Sequence, residues 1–257
     1  MWDGNQNYLS IMSNEFFVIA VGGEGKRLDR YLNKIGFKKP KIFFEIDGKP
    51  IIEHLISMSM NCDFKKIYLL VSHNKKEINE FLKDRYSSNK KIIPIYAGDE
   101  GRKYGVPFLL AMIKSNLGKS FVYSDGNILY SEKILKYLKS LRLNKEKLAL
   151  AVVSKKDMAP THSLFCIYGS KIETVNTRIG KGKLVRKDDT NLDLYCSLGL
   201  ILFDSKIFDV VDNFSMTFDL DNVVEKIFKQ DKNSVDFVKY RGNWHALHTK
   251  IDIDKLS

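Results

Sequence analysis

The sequence predicts an α/β fold in which a central mixed, mostly parallel sheet lies between two layers of helices and carries a small β-rich lobe. Short apolar runs without polar alternation are typical of strands that are buried on both faces. Up to Ser154 these runs alternate with amphipathic segments, as expected when helices connect parallel strands. After Ser154 the strand-like segments follow one another more closely, which predicts the β-rich part.

Each element of the first half has a local signal. The apolar run 16–21 ends at two glycines, which favours a strand leading into a tight turn. Helical spacing over 51–60 follows Pro50, and proline suits the first positions of a helix. In chain order the predicted elements are strand 16–21, helix 51–60, strand 67–71, helix 77–86, strand 92–96, helix 106–117, strand 121–123, helix 131–143 and strand 148–153.

The second half is predicted to contain more strand than helix. Its elements are strands 163–168, 172–175 and 195–203, helices 205–211 and 219–229, and strand 235–240. No linker rich in Pro, Gly or Ser divides the two halves. We therefore predict an N-terminal extension over 1–14 and a single domain over 15–257, whose halves are 15–153 and 154–257.

Composition limits the classes of function. The 257 residues include 42 Lys+Arg against 31 Asp+Glu, a net charge of +11 that favours anionic partners. The basic residues are scattered along the predicted helices, which is typical of solvated faces. A nucleic-acid-binding protein needs a basic stripe interleaved with aromatic residues or a known module. The chain has neither, so nucleic-acid binding rests on net charge alone and is not predicted.

The cysteines and apolar runs bear on the compartment. The three cysteines are far apart and form no Cys-x-x-Cys pair, which indicates reduced thiols. The first residues lack the basic and apolar regions of a signal peptide. The apolar runs are much shorter than the ~20 residues of a membrane-spanning helix. We expect a soluble, cytoplasmic protein without a membrane partner.

The segment VGGEGKRL places three glycines and two basic residues at the end of the first predicted strand. It is not a Walker A loop, because Arg27 stands where that loop needs Ser or Thr, and Leu28 replaces the third glycine of the dinucleotide fingerprint. Bare backbone N–H groups at such a turn can nevertheless hold phosphate oxygens, and Arg27 would add a forked donor. A glycine-rich turn without a ligand is the alternative.

Two segments together resemble the signature of the sugar-1-phosphate nucleotidyltransferases. VGGEGKRL is followed by KPKIFFEIDGKPIIEHLI, as that family has Gly-Gly-x-Gly-x-Arg-Leu before Pro-Lys and Gly-Lys-Pro. The second segment is most similar to the glucose-1-phosphate cytidylyltransferase branch. AGDEGRKYGVPFLLA, VYSDGN and RGNWHALHT resemble further segments of the family. The resemblance implies a Rossmann-like, GT-A-like three-layer α/β/α fold with a nucleotide-binding half, 15–153, and a sugar-phosphate-binding, β-rich half, 154–257.

The resemblance also implies a reaction and its residues. The reaction is NTP + sugar 1-phosphate → NDP-sugar + pyrophosphate, with CTP as one candidate donor and homo-oligomers common among relatives. The implied catalytic residues are Arg27, Lys41 and Asp125. The implied nucleotide-binding residues are Gly22, Gly23, Gly25, Arg27, Asp99 and Gly105. The implied sugar-phosphate-binding residues are Lys41, Ser163, Arg178 and Gly199. The implied metal positions are Asp125 and His248, with Mg²⁺ or Mn²⁺ as the ion.

The sequence departs from the family pattern on the acceptor and metal side. A second metal carboxylate of the family falls at His248, and imidazole is a poor ligand for Mg²⁺. The family's Glu-Lys pair falls at Thr177-Arg178. Two alternatives therefore stay open: a catalytically weakened, nucleotide-binding paralogue with a regulatory role, and a transferase for a non-sugar phosphorylated acceptor.

Several individual residues have simpler interpretations. Asp125 could belong to a plain turn and Lys41 to the surface. His245 and His248 lack the third nearby ligand that a zinc site needs. Trp244 is expected to pack in the core rather than to contact a ligand.

Overall fold

A computed structural model describes residues 14–22, 26–96, 98–155, 164–176, 193–210 and 220–247 of the 257-residue chain. The strands are β1 (Phe16–Ala20), β2 (Glu45–Ile46), β3 (Lys49–Pro50), β4 (Lys66–Val71), β5 (Ile92–Tyr96), β6 (Ser120–Asp125), β7 (Ile128–Tyr130), β8 (Ala149–Ser154), β9 (Leu164–Tyr168), β10 (Lys171–Asn176), β11 (Asp193–Asp204), β12 (Val235–Lys239) and β13 (Trp244–Ala246). The helices are α1 (Lys26–Lys34), α2 (Ile51–Asn61), α3 (Lys75–Tyr86), α4 (Gly98–Met112), α5 (Glu132–Ser140), α6 (Ile207–Val210) and α7 (Leu220–Gln230). Short 3₁₀ helices lie at Lys41–Phe43, Lys114–Asn116 and Lys232–Ser234.

A nine-stranded sheet dominates the described part of the chain. Its strand order is β10-β9-β11-β6-β1-β4-β5, with β8 paired to β11 and β12 paired to β8. Strands β6, β1, β4 and β5 are parallel. Because β11 is antiparallel to β6, β8 and β9, those last two strands run with the parallel group, as does β12. Only β10 and β11 of these nine strands run the other way, so the predicted mixed, mostly parallel sheet is confirmed.

The sheet has a hydrophobic layer on each face. Alternate residues of β1 point to opposite sides, so Phe17 and Ile19 join one buried cluster and Val18 joins the other. Helices α1, α2, α3 and α5 pack on the first face, and α4, α6 and α7 pack on the second. The three-layer α/β/α arrangement follows directly from this division.

Strand β11 joins the strands of the two predicted halves into one sheet. It pairs with β6 and with β8, the last strand of the first half, and also with β9, the first strand of the second half. Packing already begins at Asn14, whose side-chain amide donates to the carbonyls of Leu138 and Leu141, each at 2.8 Å. In the described segments no helix is long and apolar enough to cross a membrane.

Some predicted elements need correction. The helix predicted over 106–117 ends at Met112, and the chain continues in a 3₁₀ turn at Lys114–Asn116. The residues before it, which belong to no predicted element, are helical from Gly98, and the helix kinks at Gly105, where φ is 70° and ψ is −151°. Glycine alone adopts such angles readily, so this residue allows the chain to change direction.

Five elements were not predicted. Helix α1 follows the glycine turn, and its buried Leu28 and Leu32 have helical spacing. Strands β2 and β3 form a hairpin whose turn residues, Asp47 and Gly48, both have positive φ. Strands β7 and β13 pair with each other across a long stretch of chain, with Tyr130 opposite Trp244. The buried Trp244 belongs to the core, as predicted.

Candidate active site

The carboxyl ends of three parallel strands meet at one edge of the sheet. Ala20, the last residue of β1, lies beside Leu70 of β4 and Asp125 of β6 in the strand register. The N–H of Val21 donates to the carbonyl of Leu70 at 3.0 Å, and that of Gly126 donates to the carbonyl of Ala20 at 2.9 Å. In open α/β sheets ligands bind at this edge, so the two predicted site residues Gly22 and Asp125 are in the expected place.

Gly22 is fixed against the segment that follows β4. The hydroxyl of Ser72 donates to the Gly22 carbonyl at 2.7 Å, and Nδ1 of His73 lies 2.9 Å from the same oxygen. A Cβ atom at position 22 would lie 2.2 Å from the backbone nitrogen of Ser72, so only glycine fits this close approach. Ser72 and His73 were not among the predicted residues, although polar residues directly after a buried strand are a usable signal.

The glycine turn and its basic residues are placed only in part. Gly23 and Gly25 lie outside the described residues. Arg27 lies in the first turn of α1, and the structure describes its backbone only. Helix α1 begins at Lys26, and the first N–H groups of a helix have no partner within that helix, which suits them to phosphate oxygens.

Lys41 opens the 3₁₀ helix that precedes the β2–β3 hairpin. The next two residues, Ile42 and Phe43, are buried in the core and anchor this turn between α1 and α2. Lys41 itself is half-buried. Its backbone is therefore held firmly, while the long side chain keeps partial access to solvent.

Asp125 is held from two sides. The Tyr123 hydroxyl donates to its Oδ1 at 2.6 Å. On the other side Gly199 of β11 approaches so closely that a Cβ atom there would lie 2.2 Å from Oδ2. Gly199 has a φ of +62° and lies where the pairing of β11 with β8 shifts register, between Ser197 and Ile201. A residue predicted on the sugar-phosphate side is thus brought against the predicted metal-binding carboxylate.

The donor set at Asp125 is compatible with a hard divalent cation. A carboxylate oxygen is the kind of ligand that Mg²⁺ prefers, and Mg²⁺ is commonly held by one or two carboxylates together with substrate phosphates and water. Within the ranges that the structure describes, no three His, Cys, Asp or Glu residues cluster as a complete metal site. The second metal position, His248, lies outside those ranges. His245 is exposed on β13.

Of the remaining predicted residues, two lie in α4 and two lie outside the described residues. Gly105 marks the kink in α4, a helix that begins at Gly98, shortly after the carboxyl end of β5. Asp99 lies in the first turn of α4, and its side chain is not among those described. Ser163 and Arg178 lie outside the described residues. The structure therefore brings together Gly22, Asp125 and Gly199, and adds Tyr123, Ser72 and His73 to the predicted set.

Comparison with known proteins gives the family. The family model described as nucleotidyl transferase matches residues 17–250. The bifunctional protein GlmU of Methanococcus vannielii is 23% identical over 241 residues, which cover 92% of this chain and 52% of that protein. The UTP–glucose-1-phosphate uridylyltransferase AglF of Haloferax volcanii is 24% identical over 135 residues, 52% of each protein. The chain thus spans about half the length of these relatives.

Solved structures share the fold. The inositol-1-phosphate CTP transferase of T. maritima has a TM-score of 0.71 at 17% identity, with 96% of each chain covered. HddC of Yersinia pseudotuberculosis has a TM-score of 0.69 at 16% identity, with 94% of this chain and 97% of that one covered. The family model extends over nearly the whole chain and includes every element of the sheet edge described above. This chain belongs to the nucleotidyl transferase family.

Proposed function

We propose that this chain transfers the nucleotidyl group of an NTP to a sugar 1-phosphate and releases pyrophosphate. The observation that carries the proposal is the placement of Asp125, which ends β6 at the same sheet edge as Gly22 and is held by Tyr123 and Gly199. Membership of the nucleotidyl transferase family supports it, as does the name of the relative AglF.

The reaction needs positioning and charge stabilisation more than covalent catalysis. An oxygen of the acceptor phosphate attacks the α-phosphorus in line and forms a new P–O bond. The bond from the α-phosphorus to the bridging oxygen breaks, and pyrophosphate leaves with the electron pair. Arg27 and the N–H groups of the glycine turn would hold the leaving pyrophosphate. Lys41 would lie between the α-phosphate and the acceptor phosphate and reduce their mutual repulsion.

Asp125 would hold a divalent cation. Such an ion, when bound, neutralises negative charge on the phosphate oxygens. Mg²⁺ suits a carboxylate oxygen, and Mn²⁺ is the alternative because it tolerates an imidazole such as that of His248 better. The role of Asp125 in this scheme is to present one oxygen in a fixed orientation.

CTP is the first donor to test. The resemblance of residues 40–51 to the cytidylyltransferase branch supports it, and one structural neighbour is the inositol-1-phosphate CTP transferase of T. maritima. The name of that neighbour includes inositol 1-phosphate. A transferase for a non-sugar phosphorylated acceptor is therefore the second candidate, because the acceptor-side residues of this chain also depart from the sugar-binding pattern.

The test is a screen for pyrophosphate release with each NTP, several sugar 1-phosphates and inositol 1-phosphate, in Mg²⁺ and in Mn²⁺. We expect one donor and one acceptor to be preferred. Lys41→Ala should lower kcat about 100-fold, because it removes a charge that stabilises the transition state. Lys39→Ala, two residues earlier and exposed, is the matched control and should retain activity. NTP binding without pyrophosphate release from any pair would favour the regulatory paralogue instead.

A further inference from the structure

Tyr123 carries an oriented polar group in an otherwise apolar layer. It lies in β6 between Val18 of β1 and Ile201 of β11 in the strand register, and only 2% of its surface is exposed. Its ring belongs to the buried cluster beneath α4 and α7. Only the hydroxyl reaches the sheet edge, where it donates to Oδ1 of Asp125 at 2.6 Å.

The period of two along a strand explains this contact. Residues at i and i+2 point to the same face, so Tyr123 and Asp125 project to the same side of β6. The register of β11, with Leu200 opposite Ser124, brings Gly199 beside Asp125 on that side. The carboxylate is therefore restrained at Oδ1 by a hydrogen bond and at Oδ2 by the surface of Gly199.

Such a hydrogen bond is strong because the acceptor is ionised. Charge-assisted bonds are about twice as strong as neutral ones. The bond also directs the carboxylate, since Oδ1 must stay in line with the phenol. Groups that orient metal ligands in this way change metal affinity or activity about 10- to 100-fold when they are removed.

We propose that Tyr123 is a positioning residue, which fixes the rotation of the Asp125 carboxylate for contact with a divalent cation bound together with the nucleotide. This inference rests on the proposed function. Tyr123 itself contacts neither substrate nor cation; it acts through Asp125. Its hydroxyl has the positioning role, whereas its ring packs in the hydrophobic core.

The structure offers a close control for the loss of this hydroxyl. Tyr68 of β4 lies in the same register row, next to Val18, and in the same buried cluster. Its hydroxyl is also buried, but it forms no hydrogen bond to any of the residues that the structure describes. Tyr68→Phe therefore removes the same atom from the same layer without touching Asp125.

The experiment compares Tyr123→Phe, Tyr68→Phe and Asp125→Asn in the full chain. The first readout is binding of Mn²⁺ in the presence of CTP, followed by the EPR spectrum of the ion, with CTP and Mn²⁺ alone as the baseline. The second is the Mn²⁺ concentration that half-saturates turnover, with KM for the acceptor measured alongside. Circular dichroism and thermal unfolding establish that each variant is folded at the assay temperature, and Tyr123→Leu provides a second variant without the hydroxyl.

We expect Tyr123→Phe to raise the dissociation constant of Mn²⁺ and the Mn²⁺ concentration that half-saturates turnover about tenfold each, and to change the KM for the acceptor little. Tyr68→Phe should resemble the unmodified chain. If Asp125→Asn raises these constants but Tyr123→Phe does not, the positioning role is overturned and the proposed function stands. Equal effects of the two Tyr→Phe changes would also overturn it, because they would reflect the core alone. If Asp125→Asn leaves Mn²⁺ binding unchanged, Asp125 does not bind the cation, and both the cation-binding part of the proposed function and the positioning role of Tyr123 are overturned.

Discussion

Gly199 illustrates how one backbone position can serve a side chain on a neighbouring strand. Its φ of +62° lies in the left-handed region, which side chains disfavour. The residue sits where the β11–β8 ladder shifts register, and its N–H donates to the hydroxyl of Ser197 at 3.1 Å. This shift in register places the Cα of Gly199, which carries no side chain, next to the Asp125 carboxylate. Both the conformation and the space therefore require glycine at this position.

Gly199→Ala should weaken both the fold and the site. The added Cβ would lie within 3.0 Å of three atoms of the Asp125 side chain, so the carboxylate must move away from its present position. We expect a loss of about 1–3 kcal/mol in the free energy of unfolding, measured by urea denaturation, together with weaker Mn²⁺ binding. Gly169→Ala is the control, because Gly169 has a φ of +56° and open surroundings. Equal losses in both variants would mean that contact with Asp125 is unimportant.

The site residues differ in how far they could be predicted. Gly22 and Asp125 follow buried strands, so the rule for strand ends places them at one sheet edge. The contact of Tyr123 with Asp125 could have been predicted from their spacing of two within a strand. The contact between Gly199 and Asp125 could not have been predicted, since it depends on the antiparallel register of β11 and on a local register shift that the sequence of β6 does not indicate.

At the scale of elements, the main strands were predictable because their burial is so complete. Every residue of β8 is buried, and five of the six residues of β4 are buried, so each strand appears as an unbroken apolar run. The β2–β3 hairpin carries a local Asp-Gly signal that was available and overlooked. Strands β7 and β13 are different, because their pairing joins distant segments and each has three residues. Short strands of this kind form only when the rest of the fold brings them together.

Gly105→Ala should test whether the kink in α4 matters for nucleotide binding. Its φ of 70° and ψ of −151° are nearly exclusive to glycine. An alanine there would favour a straighter helix and turn Gly98–Gly105 away from the end of β5. We expect a loss of about 1–3 kcal/mol in the free energy of unfolding and weaker NTP binding, measured by calorimetry. Gly36→Ala shares the positive φ, at 78°, in open surroundings; a similar loss of NTP affinity in that variant would contradict the role of the kink.

At the scale of the whole molecule, the excess of basic residues is partly balanced locally. Lys65, Lys91, Lys136 and Lys229 each form an ion pair with a nearby carboxylate on the surface. Exposed pairs of this kind contribute little to stability. This agrees with the expectation that the scattered lysines form solvated faces. The pairs of Lys136 with Glu132 and of Lys229 with Glu225 follow from the i,i+4 spacing of a helix. The pairs of Lys65 with Glu15 and of Lys91 with Asp63 could not be predicted, because they depend on the relative placement of distant segments.

Buried thiol and phenol groups make the free energy of unfolding depend on pH in the alkaline range. Burial, with a smaller contribution from Glu132, raises the pKa of the Cys62 thiol from 9.0 to about 11. Burial also raises the pKa of Cys166, Tyr68 and Tyr130. In each case the folded state favours the protonated form. The stability that these groups contribute is therefore fully present below their ordinary pKa values and is lost as the pH rises through the folded ones.

We therefore expect the free energy of unfolding to fall as the pH rises from about 9 to about 11, the window of the Cys62 shift, as measured by urea denaturation. High salt separates this effect from the exposed lysine pairs, whose contribution is screened. Cys62→Ala should show a smaller fall than the unmodified chain, because it removes the group whose window, from pH 9.0 to about 11, overlaps the measurement most. An identical fall in both would mean that Cys62 ionises in the folded chain as easily as in the unfolded one, and the alkaline loss would then belong to the buried tyrosines.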